Sequence, residues 1–353
     1  MTLALPVPLS VLDRSRTRHG RDPGEALRDT VRFAQQTEEL GYHRFWVSEH
    51  HAVPGVAGSA PTVLAAAVAA ATSRIRVGTG GVMLPNHRTL VVAEQFGVLE
   101  SLFPGRIDMG LGRSVGFTEP IRRALGTGRD AMADFGAQLA ELTAWFTDGD
   151  RPHPTVHARP AEGLRLPVFV LATGAGAEVA ARAGAALVIG GPGGAEALAA
   201  AAGRYRAAFR PSPWRQEPYV MVAADVAVAA TREEARRLLL PEAWALAHSR
   251  THGDFPPLRT AGEIEALSLT AREREHMEEA LRGDVLGTEE EVAEELGALV
   301  ARTGADEVLV TTSSPDRGAL LDSYRALARL AGLPQQPRRA PEPTLTAPRP
   351  PAR

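Results

Sequence analysis

Short apolar runs closed by polar or glycine residues alternate along the chain with longer segments whose apolar positions recur every three to four residues. The short runs predict strands at 8–12, 44–48, 75–80, 106–112, 167–171, 186–189, 219–228 and 307–312. The segments between them predict helices. The clearest start is Asp22-Pro23-Gly24-Glu25, with an N-cap aspartate, a proline at the first helical position and a carboxylate three residues after the cap. Leu27, Val31, Ala34 and Leu40 follow at roughly helical spacing, and Gly41 closes the helix. Thr231-Arg-Glu-Glu234 and Thr288-Glu-Glu-Glu291 are capping boxes. Eight strands mostly alternating with helices predict an α/β fold, a (β/α)8 TIM barrel, with an open doubly wound sheet as the alternative.

The rhythm pauses twice, after strands four and seven, which predicts insertions there. The first begins with a loop over 114–129 and includes a proline-rich stretch at 148–162. The second, 249–287, reads as polar and irregular with one short helix. One domain is expected over 1–333, followed by a Pro/Arg-rich tail, 334–353, with the composition of a disordered segment.

Composition narrows the function classes. A chain of 353 residues with 44% hydrophobic content can build a large core. A net charge of -3 and no long basic run argue against nucleic-acid binding. The absence of cysteine removes disulfides, thiolate metal sites and cysteine nucleophiles. The basic side chains are all arginine, which reads as codon bias before function. No apolar run approaches the roughly 18 residues of a membrane span, and a cytoplasmic protein is the default expectation.

The residues that follow the strands carry the candidate chemistry: Asp13, Glu49-His50-His51, Gly80-Gly81, Arg113, Thr173-Gly174, Gly190-Gly191 and 311–314. In a barrel all of them face one mouth. His50 is a candidate acid, base or charge stabiliser because an imidazole titrates near neutral pH, and equally a hydrogen-bonded structural group. Adjacent histidines on an extended chain point opposite ways, and no metal is assigned. Arg113 at the end of strand four suits an anion or a salt bridge. Thr173-Gly174-Ala175-Gly176 before a helix resembles a phosphate seat, reasonable when paired with an arginine across the mouth. Gly80-Gly81 fits a plain turn or a flat ring lying against backbone. No Walker or dinucleotide fingerprint is present.

Phe45-Trp-Val-Ser-Glu-His-His51, Val77-Gly-Thr-Gly-Gly-Val-Met-Leu-Pro85, Val92-Ala-Glu-Gln-Phe96 and Pro104-Gly-Arg-Ile-Asp-Met-Gly-Leu-Gly-Arg113 resemble the bacterial luciferase-like flavin monooxygenases. The Ser10-Val-Leu-Asp13 opening is similar to the actinobacterial branch. The resemblance spans about 9–330 and implies a TIM barrel that binds reduced FMN at its mouth. It further implies activation of O2 as a flavin C4a-hydroperoxide and oxygenation of a small organic substrate, in secondary metabolism. By the same resemblance His50 is catalytic beside the flavin and Glu49 supports it, while His51 is structural. Gly80–Gly81 is a cis peptide under the ring, and Arg113, Thr173 and Gly174 clamp the phosphate, with Arg129 as a second arginine. A separate flavin reductase would supply FMNH2, and the alanine-rich helix after strand two suits a homodimer. Ala172 departs from the polar residue of luciferase at the phosphate turn. The alternatives are an F420-dependent oxidoreductase on the same fold, a non-catalytic flavin-binding barrel, and a metal-dependent barrel hydrolase, for which the expected ligand set is missing.

Overall fold

The computed structural model describes residues 5, 7–147, 153–172, 174, 176–191 and 193–335. Its strands are β1 (Leu9–Asp13), β2 (Arg44–Val47), β3 (Arg76–Thr79), β4 (Val82–Met83), β5 (Ile107–Gly112), β6 (Val168–Ala172), β7 (Ala186–Ile189), β8 (Val220–Ala224), β9 (Val226–Val228), β10 (Val285–Gly287) and β11 (Glu307–Val310). All pairings between them are parallel. The order β3-β2-β1-β11-β8-β7-β6-β5 closes through β3–β5, giving the eight-stranded barrel that the pattern predicts. Parallel strands covered on both faces have no wet side, which is why they read as mostly apolar runs.

The interior is packed by Leu12, Trp46, Phe169, Val188, Met221 and Leu309, with Trp46 and Phe169 edge-on at 4.8 Å. The larger apolar layer lies outside, between barrel and helices. At the amino ends of the strands, buried Arg44 donates to Asp108 at 2.8 and 2.9 Å and to Glu307 at 3.1 Å. Arg76 and the Trp46 indole also donate to Asp108. These charges are mutually satisfied and sit at the end of a barrel that serves stability.

The helices are α1 (Pro23–Glu39), α2 (Pro61–Ala71), α3 (Thr89–Leu102), α4 (Glu119–Leu125), α5 (Phe135–Ala144), α6 (Gly176–Arg182), α7 (Gly194–Ala208), α8 (Arg232–His252), α9 (Ala261–Glu265), α10 (Ala271–Leu281), α11 (Glu289–Thr303) and α12 (Arg317–Leu330). Three details differ from the sequence pattern. The segment 114–129, expected as loop, contains α4, ended by Gly126 at φ 70°. The strand expected over 219–228 breaks at Asp225, whose carboxylate accepts from the Thr311 hydroxyl at 2.9 Å. Beyond it β9 leaves the barrel and pairs with β10. The segment expected as irregular, 249–287, holds the end of α8, α9, α10 and β10, and α9 and α10 open on capping boxes from Thr260 and Thr270. Among the described residues no helix is long and apolar enough to cross a membrane. The tail from 336 onward lies outside the described residues.

Candidate functional site at the barrel mouth

β2 ends at Val47, which pairs with Asp13 of β1 and Thr79 of β3, so Ser48 to His51 emerge between those two strand tips. Glu49 is buried here. Its Oε1 accepts from His51 Nε2 at 2.6 Å and from His87 Nε2 at 2.8 Å, while Oε2 accepts the Met83 amide at 2.8 Å. Burial alone would raise the carboxyl, but the hydrogen bonds from His51 and His87 and from the Met83 amide overcome that and hold it at about 2. Donor atoms of Glu49, His51 and His87 converge within 4.8 Å. The two shortest separations are hydrogen-bond lengths onto one oxygen, so this trio is already closed on itself.

Glu49 makes none of its hydrogen bonds to His50. The His50 amide donates to the Gly58 carbonyl at 2.9 Å, and its Nδ1 lies 3.2 Å from Ser48 Oγ. Burial, then Arg14 and Arg16, push the imidazole down to about 4. It is therefore uncharged at neutral pH.

Arg14 and Arg16 follow the tip of β1 and share one carboxylate on α8: Arg14 meets Glu242 Oε1 at 2.6 Å and Arg16 meets Oε2 at 2.9 Å. Arg16 also donates to the Gly55 carbonyl at 2.8 Å and lies over the Phe255 ring. Pairing of Val226 with Val285 brings Asp225 and Asp284, one residue earlier on each strand, side by side. Burial, then the neighbouring Asp225 charge, raise Asp284 to about 8. This cluster beside His50 was not among the predicted site residues. Its one signal in the sequence is that Arg14 directly follows a strand-end aspartate; Glu242 lies inside a helix and carries none.

The Gly80–Gly81 bond is cis. A Cβ on Gly80 would approach Leu12 Cδ1 to 2.7 Å, and one on Gly81 would approach the Gly110 carbonyl oxygen to 2.9 Å. The Gly110 backbone thus excludes a side chain at Gly81, while one at Gly80 would require Leu12 to shift.

Arg113 is exposed and, among the described residues, has no hydrogen bond or ion pair. Gly112 pairs with Leu171, so Arg113 stands beside the tip of β6, next to Ala172 and Gly174, on a neighbouring strand and not across the mouth. Gly174 adopts φ 56°, a conformation that favours glycine, and the space where a Cβ would go is open. Thr173 lies outside the described residues. Arg129 begins a short 3-10 turn and is likewise exposed and unpaired among the described residues. The two insertions meet at the rim, where Phe117 packs edge-on against Phe255 at 5.9 Å.

Residues 7–307 match the family described as luciferase-like monooxygenase. The N-acetyl-S-alkylcysteine monooxygenase of Bacillus subtilis (strain 168) is 33% identical over 335 residues, covering 91% of this chain and 97% of that protein. The crystal structure of apo-MsnO8 superposes with a TM-score of 0.82 at 31% identity, covering 94% and 99% of the two chains. The oxygenating constituent of 3,6-diketocamphane monooxygenase from Pseudomonas putida, a type II Baeyer–Villiger enzyme solved with FMN, gives a TM-score of 0.70 at 19% identity, covering 94% and 100%, a likeness of fold. With a closed parallel barrel, a family match over most of its length and a monooxygenase relative sharing a third of its residues, this chain belongs to the luciferase-like monooxygenases.

Proposed function

We propose that this protein is a two-component monooxygenase that takes reduced FMN from a separate flavin reductase and uses O2 to oxygenate a small organic substrate. The observation that carries the reading is His50: a largely buried imidazole at the barrel mouth, kept neutral by burial and two arginines. Bound reduced FMN would supply the electrons that activate O2. A neutral imidazole can hydrogen-bond at the reacting centre without acting as a standing proton source, which favours oxygen transfer over loss of peroxide.

The residues at the mouth fit such a cofactor. Arg113, without a partner among the described residues, stands beside the open Gly174 turn, and in this reading Arg113, Gly174 and Thr173 hold the phosphate, with Arg129 as a second positive charge. Gly80 and Gly81 offer bare backbone to the ring. Glu49 is a positioning residue: by fixing His51, His87 and the Met83 amide it sets the path of the chain on which His50 rides. The rim built from Phe117 and Phe255 shields the mouth from water and, as part of the two insertions, shapes substrate choice.

The reading also includes a homodimer. α2 carries no charged side chain, and Val63, Val91, Val98 and Leu102 on α2 and α3 are exposed. An apolar surface of this kind suits contact with a second copy.

The test mixes the protein anaerobically with FMNH2, then adds O2 and follows the flavin absorbance. Tight FMNH2 binding and a delayed, multiphasic reoxidation are expected, in place of the immediate oxidation of free FMNH2. Failure to bind FMNH2 together with binding of reduced F420 overturns the reading in favour of a hydride-transferring enzyme. FMNH2 binding with reoxidation no different from free flavin leaves a binding protein without oxygenase activity.

A further inference from the structure

The helix expected to end at about His248 runs on to His252, which places a His-x3-His spacing, His248 and His252, at the end of α8. Four residues apart on a helix, the two side chains share one face. Their rings stack with centroids 4.1 Å apart and planes 14° apart. α10 packs along α8 and adds Glu273. A ring nitrogen of each histidine and a carboxylate oxygen of Glu273 lie within 4.8 Å of one another. Asp254, just past the end of α8, places Oδ1 3.3 Å from His248 Nε2.

Glu273 divides its two oxygens. Oε2 accepts from the Thr270 amide at 2.8 Å and the Thr270 hydroxyl at 2.7 Å, while Oε1 faces His252 Nδ1 at 3.9 Å. That gap is too long for a hydrogen bond. Metal bonds of about 2.0–2.2 Å put tetrahedral ligands roughly 3.4 Å apart, so small rotations of two solvent-accessible imidazoles close the set. The side chains of His252 and Asp254 are 52% and 51% exposed, which leaves an ion a route in. None of these four residues takes part in the network at the mouth.

We propose that His248, His252 and Glu273 bind a divalent transition-metal ion of the zinc class, Zn2+, Ni2+ or Cu2+. Two imidazole nitrogens select these ions over Mg2+ and Ca2+. Paired histidines at this spacing are the helix-borne half of many zinc sites. The ion would join α8 to α10 at the far end of the helix that carries Glu242.

The experiment titrates Zn2+ into the full-length, tag-free protein by calorimetry. One equivalent is expected to bind, and His248→Ala and His252→Ala should each weaken it by at least about tenfold. Glu273→Gln keeps the side-chain length at the helix start and should weaken binding as well. Trp244 provides a second readout, since its ring centroid lies 5.4 Å from that of His248. Cu2+ should quench part of the tryptophan fluorescence in the parent protein and lose that effect in His252→Ala, with circular dichroism showing that α8 remains helical. Absence of a one-equivalent isotherm, or binding that both histidine variants retain undiminished, overturns the proposal.

Discussion

Glu49 and His51, two residues apart where the chain leaves β2, are joined by a hydrogen bond of 2.6 Å. His50, between them, takes no part in it and is coupled instead to Arg14 and Arg16. Adjacent side chains of the Glu-His-His sequence therefore serve different neighbourhoods, one built on the Glu49 carboxylate, the other on Arg14, Arg16 and Glu242.

The Glu49 neighbourhood is structural, and its loss should appear as lost stability. Glu49→Ala removes the acceptor of three hydrogen bonds at a buried site, and urea denaturation should show a decrease of about 3 kcal/mol. Glu49→Gln keeps one acceptor and should cost less. Equal, near-zero losses for both variants would show that the network does not hold the strand tip.

His50 should leave a signature in stability against pH. Its folded value of about 4 lies below the unfolded value near 6.5, so the unfolded chain binds the extra proton first as pH falls. Its contribution is fully present above the unfolded value and is lost progressively between about 6.5 and 4, amounting to about 3 kcal/mol. Glu49, at about 2, adds a further loss below the ordinary carboxylate range. Urea midpoints at pH 7, 5.5 and 4 should fall steeply in the parent protein and flatten over this window in His50→Gln. Parallel curves for the two proteins would contradict the assignment.

Arg113 should discriminate phosphate from ring. Because it has no partner among the described residues, Arg113→Ala should leave the melting temperature unchanged. It should weaken FMN binding by about tenfold or more, the equivalent of one charge-assisted contact, and leave riboflavin binding as it was. Equal weakening for both ligands would place the arginine somewhere other than at the phosphate.

The α2–α3 surface should govern assembly. Light scattering is expected to show a dimer for the parent protein and a monomer for the Val63→Asp/Val98→Asp double variant, with unchanged helical content, because both positions are exposed. A monomeric parent protein would remove the dimer from the functional reading.

Local patterns carried much of this molecule. Mostly apolar runs locate the barrel strands because strands covered on both faces have no wet side, and the charged exceptions, Arg44, Asp108 and Glu307, are buried against one another. Thr231 with Glu234 and Thr288 with Glu291 announce their helices, since a capping box is written within four consecutive residues. The same signal at Thr260 and Thr270 lay in a segment whose polarity concealed two helices. Glu49, His50 and Arg113 were legible as strand-end residues, and closure of the barrel gathers strand ends. What the chain alone could not say is which of them meet. His87 reaches Glu49 across 38 positions, and Arg16 reaches Glu242 across 226. The break at Asp225 is of the same kind, because its partner Thr311 comes from just past the end of β11. Periodicity and caps are properties of neighbours in sequence; the charge state of His50 depends on arginines and a carboxylate that become neighbours only when the barrel closes.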